Sequence, residues 1–427
     1  MSLTSDGLPV MPVLTEAITM SASEPGSSTI VMQYQGAGNP VVFENAPEIA
    51  AAVRRVLALW PQTVPEGRAE PITISAHGAG YALSSPWQPD PMAGLGTVGA
   101  ACGAVVDTAQ SFLDAHPDHL CLHCTSFEIA GRLVVLTGPA RTGKSTLAAR
   151  LCAENDVMVY CDDMLPLTAP DNLGLALGVP PRPRLPLPPG SGMKLAAHIA
   201  HHTATADAQY CYLDTTNLAP HGRTAPIGAV LMLERRAEGP AGLVPAEPGE
   251  ALRHLLLRNM VRNSPASALT GRLEDFIAGI PCLKLFYCEL DDAVDLLKQT
   301  FARWPVETTE ILATRAPIMD PEPEPAAANG ARPLPDLDLH QRFVRVEGIT
   351  ARIVGDETFL FDADDVSVLN LNRLAGAIWV LLDAPISIAD TARLLAEAFP
   401  DTPPDVVLTD ALVLFADLLA SNLIAPA

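Results

Sequence analysis

The chain has 427 residues, is 48% hydrophobic and 18% charged, and carries a net charge of −22. That hydrophobic fraction excludes wholesale disorder. The acidic balance excludes a general nucleic-acid or anionic-membrane binder, because both partners need basic surface. At about 150 residues per domain the length predicts two or three domains, enough for at least one sizeable core.

Residues 1–25 read as a loose N-terminus without a basic, apolar export signal, and no apolar run reaches the roughly 20 residues that span a bilayer. Eight cysteines scattered through a chain this long predict reduced thiols and a cytoplasmic location rather than a disulfide framework. Residues 26–313 form the large part. Its β-branched runs predict strands at 29–35 and 71–84, with helices over 48–59 and 97–115. Strands follow at 120–130 and 132–138, then a helix over 145–155 and a buried strand at 156–161. Later strands are expected at 173–179, 209–214, 226–233 and 283–288, with helices over 248–261 and 291–304. This alternation predicts a layered α/β core. Cys121 and Cys124 lie in an apolar run and read as buried thiols. His198, His201 and His202 read as a solvated or substrate-facing loop, since no Cys or carboxylate stands at ligand spacing.

The strongest local signal is Gly138-Pro139-Ala140-Arg141-Thr142-Gly143-Lys144-Ser145, which fits the G-x-x-x-x-G-K-[ST] phosphate loop without a mismatch. An apolar strand enters it, and the helix leaving it continues with Thr146. Glycines at both ends permit backbone angles that turn successive N–H groups toward phosphate oxygens, and the helix N-terminus adds positive potential. Lys144 supplies a compact charge for the β- and γ-phosphates of ATP, and Ser145 a hydroxyl for Mg²⁺. The chain has only four lysines, 144, 194, 284 and 298, among 27 Lys and Arg. A Lys at this position therefore suggests that the site needs a point charge rather than a planar fork. Asp162 and Asp163 end the next strand, where a carboxylate can hold Mg²⁺ or take the proton of an attacking hydroxyl.

Together, His123 before the loop, the loop itself and the Asp162-Asp163 pair resemble the HPr serine kinase/phosphorylase family, best over 120–235. That resemblance implies a compact α/β P-loop (HPr kinase-like) domain. It implies His123 close to the phosphates and one Asp of the pair as general base, Asp162 being the first choice. Asp163 then joins Ser145 at the metal. Two departures stand out: Thr146 replaces an acidic residue of the bacterial kinases, and a Pro-rich segment, 179–191, replaces their Gly-rich signature. In that segment Arg182 and Arg184 are candidates for contacting phosphate or an acidic peptide, or are plain surface.

Residues 314–340 are Pro/Glu-rich and read as an extended, mobile linker. Beyond it, 341–427 predicts three short strands and then three helices, a small α+β winged-helix-like module. It carries five Arg and no Lys against thirteen Asp and Glu, a net of −8, which argues against DNA. The run Leu371-Asn372-Arg373-Leu374-Ala375-Gly376-Ala377-Ile378-Trp379 resembles the PqqD family. That family recognises leader peptides of ribosomally made, modified peptides by adding the leader as a strand to a sheet edge. Trp379 is expected in the core beneath such a groove. The two halves together predict a kinase acting on a Ser or Thr of a precursor peptide. A nucleotide-dependent peptide chaperone and a small-molecule or carrier kinase remain as alternatives.

Overall fold

The computed structural model describes residues 28–65, 69–139, 141–188, 190–261, 264–306, 336–398, 400 and 402–427. The expected loose N-terminus and linker residues 314–335 lie outside them.

The N-terminal layer runs β1 (Thr29–Tyr34), β2 (Val41–Glu44), α1 (Pro47–Val56), β3 (Gln62–Thr63), β4 (Ile72–His77), β5 (Gly80–Ser84), β6 (Met92–Leu95) and α2 (Thr97–Ala115). Its sheet has the order β3-β1-β2-β4-β5-β6. β2 and β4 are parallel, joined through α1, and every other pair is antiparallel. Alternate residues Val41 and Phe43 of β2, and Ile72 and Ile74 of β4, turn inward onto Ile49 and Val53 of α1. α2 meets them with Ala100, Ala101 and Ala104, whose short side chains permit close approach of helix to sheet.

The central layer runs β7 (Leu120–Leu122), β8 (Thr125–Ile129), β9 (Arg132–Thr137), α3 (Lys144–Leu151), β10 (Met158–Cys161), β11 (Leu165–Leu167), β12 (Gly174–Leu175), α4 (Gly192–His201), β13 (Thr203–Ala206), β14 (Cys211–Leu213) and β15 (Thr224–Ala225). It continues through β16 (Ile227–Arg235), β17 (Gly242–Pro245), α5 (Pro248–Leu256), α6 (Ala266–Ala278), β18 (Cys282–Tyr287) and α7 (Leu290–Thr300). The main sheet is β10-β8-β9-β16-β18-β17, with β9, β16 and β18 parallel. These parallel strands are covered on both faces, which is why they read as unbroken apolar runs. Val134 and Leu136 of β9 pack with α3, α4 and α7, while Leu133 and Val135 face the core shared with α5 and α6. The loop 138–143 emerges at the C-terminal end of β9, the end at which open α/β sheets present their ligand crevices.

Three expectations change here. The expected strand 120–130 breaks at His123 and Cys124 into β7 and β8, which belong to different sheets. The helix expected to Val261 stops at Leu256, because the chain then turns back along β7, where the Met260 amide donates to the Cys121 carbonyl at 2.9 Å. The histidine cluster is not a loop. His198 and His201 lie on α4, and His202 is its C-cap.

The C-terminal part contains β19 (Arg342–Arg345), β20 (Thr350–Val354), β21 (Glu357–Phe361), β22 (Val368–Leu371), α8 (Arg373–Leu381), β23 (Ile386–Ser387), α9 (Ile388–Ala398), α10 (Pro404–Ala420) and β24 (Ile424–Pro426). The expected three strands are six, in two sheets ordered β20-β21-β22 and β23-β19-β24. The three helices are where periodicity put them. Asn372 caps α8, its side chain accepting from the Ala375 amide at 2.9 Å. This part also does not stand off on a tether. Val354, Phe359 and Phe361 share a core with α5 and α6. Arg352 pairs with Glu274 at 3.1 Å and Arg253 with Glu357 at 3.3 Å. Asp365 accepts from the Ser267 amide at 2.7 Å. Gly249 sits so close to the Val354 carbonyl that a Cβ there would collide with it. Among the described residues no helix is long and apolar enough to cross a membrane.

Candidate functional site

After Thr137 the backbone turns sharply. Gly138 has φ +153°, Arg141 φ +70° and Gly143 φ +101°. The first and last are conformations that glycine adopts without a side-chain clash. Gly143 is also the N-cap of α3, and a Cβ there would strike the Tyr287 hydroxyl. That hydroxyl donates to the Thr142 carbonyl at 3.3 Å, while Thr142 Oγ1 donates to the Pro139 carbonyl at 2.9 Å. Lys144, the first residue of α3, is 8% exposed. Its ammonium donates to the Gly138 and Pro139 carbonyls at 2.8 and 2.9 Å. An ammonium has three donors, so Lys144 can reach a further oxygen. Ala140, within the loop, lies outside the described residues.

Across from the loop, Asp162 and Asp163 follow β10. Asp162 is 5% exposed. Its Oδ1 accepts from the Thr125 hydroxyl at 3.1 Å and its Oδ2 from the Arg182 amide at 3.2 Å. The Ser145 hydroxyl bonds the same carboxylate. Burial, and then the neighbouring Asp163 charge, push Asp162 up to about 7 against the pull of those three donors. Asp163 is less buried and shares the edge of an open pocket with Asp162. His123 lies in the break between β7 and β8, its amide donating to the Arg258 carbonyl at 2.7 Å. Burial lowers its proton affinity. Asp163 opposes that shift, and the cations Lys144 and Arg258 add to it, so His123 is neutral at neutral pH. Lys144 is lowered by burial and by the Arg258 charge, and raised in part by Asp162 and Asp163. The structure thus brings His123, Lys144, Ser145, Asp162 and Asp163 together and adds a cation, Arg258, that the sequence did not flag. Arg258 arrives through the return of the chain along β7, a tertiary pairing with no local signature.

Other candidates fall elsewhere. Arg182 contributes its backbone amide to Asp162, while its guanidinium stacks 4.4 Å from the Tyr210 ring centre, with exposed Arg184 at 5.8 Å. Cys121 and Cys124 are fully buried, and the Cys161 thiol donates to the Cys124 carbonyl at 3.3 Å. His198 stacks on His202 with ring centres 4.4 Å apart, and burial followed by the His202 charge lowers it to about 4. Among the described residues no group of three His, Cys, Asp or Glu gathers at metal-binding distance. Two openings lie at these residues. The larger, about 440 Å³ with its solvent, is edged by Asp162 and Asp163. The smaller, about 210 Å³, lies beside Thr146 and is bordered by Ser191, Arg235 and Tyr287.

In the C-terminal part Trp379 is 2% exposed and packs with Ile378, Leu382 and Phe415. The Arg345 guanidinium covers its ring at 4.7 Å, so Trp379 supports the sheet and helices from within. β20 faces the large part, and β22 pairs with β21 alone among the described strands. No curated protein matches the chain. The family model described as Coenzyme PQQ synthesis protein D (PqqD) matches residues 357–424, from the start of β21 to Ile424. The C-terminal part of the chain therefore contains a PqqD-like domain.

Proposed function

We propose that the chain is an ATP- and magnesium-dependent kinase of a Ser or Thr hydroxyl on a ribosomally made precursor peptide, whose leader is held by the PqqD-like domain. One observation carries this reading. A nearly buried Lys144 begins a helix behind a left-handed glycine, beside Arg258 and facing two carboxylates. The resemblance of this constellation to HPr serine kinase/phosphorylases supports the same reading.

The donor set fits Mg²⁺. A hydroxyl, Ser145, partners one of two adjacent carboxylates, which is held up near 7 by burial and by the other, and hard oxygens so gathered welcome a dication. When bound, the metal would neutralise charge between the β- and γ-phosphates. Loop amides and the N-terminus of α3 hold the phosphates in place, and Lys144 and Arg258 offset their charge. The acceptor oxygen attacks the γ-phosphorus. A new P–O bond forms as the bond to the β,γ-bridging oxygen breaks, and ADP leaves with that electron pair. The hydroxyl proton passes to a carboxylate. Under the resemblance Asp162 is the first choice for that role, with Asp163 at the metal. The burial of Asp162 and its three donors support the reverse: Asp162 would hold Ser145 and the metal, and the more accessible Asp163 takes the proton. Neutral His123 lies beside Asp163 and the cations, where it can donate to phosphate without adding charge.

The test uses the full chain, ATP, Mg²⁺ and a leader-containing precursor encoded beside it. The expected product carries one added phosphoryl group on Ser or Thr by mass spectrometry. Lys144→Ala should lose that product and keep leader binding. Full phosphorylation by Lys144→Ala would defeat the proposal.

A further inference from the structure

The larger opening beside the aspartates runs between two layers. Val105, Val106 and Ala109 of α2 form one wall. Leu177, Pro180 and Tyr212 form the other, and Asp162 and Asp163 close one end. Val106 is 41% exposed, so this wall is reached from solvent. Apart from the carboxylates, the Cys161 thiol, Tyr160 and Tyr212, the lining is apolar. A site for a phosphate or a sugar would carry donors. An apolar pouch ending in carboxylates accepts an apolar group attached to a hydroxyl-bearing backbone.

We propose that this pouch is the acceptor subsite, and that it takes an apolar side chain adjacent to the Ser or Thr that is phosphorylated. The inference rests on the kinase reading, which puts the acceptor hydroxyl at Asp163. Three observations converge on a peptide occupant. The pouch is continuous with the aspartate pair, so an occupant's neighbouring hydroxyl reaches the carboxylates. It opens to solvent along Val106, and its space together with that open part is about 440 Å³. The PqqD-like domain in the same chain argues that the substrate is a peptide rather than a free metabolite. Asp163 at the closed end disfavours an acidic neighbour, because like charges in a partly desolvated pocket repel. Selectivity at the acceptor therefore comes from α2, an element of the N-terminal layer, and is separate from leader selection by the C-terminal domain.

The experiment uses the full-length protein, Mg²⁺ and ATP with short synthetic peptides of the form Gly-Xaa-Ser-Xaa-Gly, where Xaa is Leu, Phe, Asn or Asp. Millimolar peptide replaces the effective concentration that a bound leader provides. Phosphopeptide is quantified by mass spectrometry, and binding of a fluorescent ATP analogue is titrated in parallel. The Leu and Phe peptides are expected to turn over at least about tenfold faster than Asn and Asp, the discrimination that burial of one apolar group supplies. Val106→Asp, at a solvent-reached position that tolerates a polar residue, is expected to remove that preference. Val106→Trp, which fills the pouch, is expected to raise KM for the Leu and Phe peptides about tenfold. Equal turnover of all four peptides, or a preference unchanged in both variants, would overturn the pouch while the kinase stands. Analogue binding with no peptide modified would overturn a peptide acceptor. No analogue binding at all would instead remove the kinase reading.

Discussion

Asp162→Asn separates stability from function at the candidate site. Burial and the Asp163 charge raise the Asp162 carboxyl from its ordinary 3.8 to about 7. Between those values the folded state binds a proton that the unfolded state has released. This contribution to stability is complete below about pH 4 and lost as the pH rises through about 7. The span corresponds to about 4 kcal/mol, because each tenfold change in proton affinity is about 1.4 kcal/mol. Asparagine cannot ionise. It can still accept from the Arg182 amide, and its NH₂ can donate to Thr125 Oγ1, so about 1 kcal/mol of hydrogen bonding is at risk. The net is a variant more stable than the parent by about 3 kcal/mol at about pH 8, and no more stable at about pH 4. At about 2–4 °C per kcal/mol for a domain of this size, Tm should rise by about 6–12 °C at the higher pH. Differential scanning calorimetry in EDTA at a series of pH values reads this directly. The same variant should transfer phosphate at least about a hundredfold more slowly, since the group holding Ser145 and the metal is lost. A Tm difference that does not change with pH, or a variant less stable than the parent at about pH 8, would refute the reasoning.

Other perturbations follow from the same geometry. Arg258→Ala removes a cation beside Lys144 and His123, and should weaken ATP binding and slow transfer by about ten- to a hundredfold, measured by fluorescence titration and single-turnover kinetics. Gly143→Ala forces a Cβ into φ +101° and against Tyr287, and should cost about 1–3 kcal/mol of stability as well as nucleotide binding, by denaturant melts and titration. Asp365→Ala removes the carboxylate that binds Ser267 across the two parts, and should speed hydrogen exchange in β20 and β21 without abolishing nucleotide binding. Removing the whole C-terminal part would instead expose the apolar faces of α5 and α6. Competition by free leader peptide is therefore the cleaner measure of leader dependence, and excess leader should suppress phosphorylation of the precursor.

The legible elements were those whose local pattern decides the outcome. α2 matches its expected span end to end, its many alanines and long apolar face outweighing Gly99 and Gly103. The loop 138–145 was legible because glycine spacing, strand and helix coincide. α8 was legible from its 3.6-residue period. The misses have tertiary causes. α4 begins at Gly192, at φ +76°, and carries a histidine cluster, so glycine and histidine masked a helix that buries only Leu195 and Ile199. α6 mixes Ser, Thr and Gly into its run and was passed over, although its Leu273, Phe276 and Ile277 complete the core beneath the docked domain. β23 and β24 are two and three residues long and exist by pairing with β19, which no local pattern announces. The docking of the C-terminal part rests on Val354, Phe359 and Phe361, whose alternation marks strands without saying which surface they cover. At the site the sequence supplied the candidate residues, while the difference in burial between Asp162 and Asp163 comes from the fold, and adjacent positions in a sequence cannot express that.

The most direct measurement is a calorimetric titration of the full chain with a non-hydrolysable ATP analogue and Mg²⁺, for the parent and for Lys144→Ala. The account predicts one site per chain in the parent and its loss in the variant, with both proteins equally folded. Binding of equal strength in the two, or none in the parent, would contradict it.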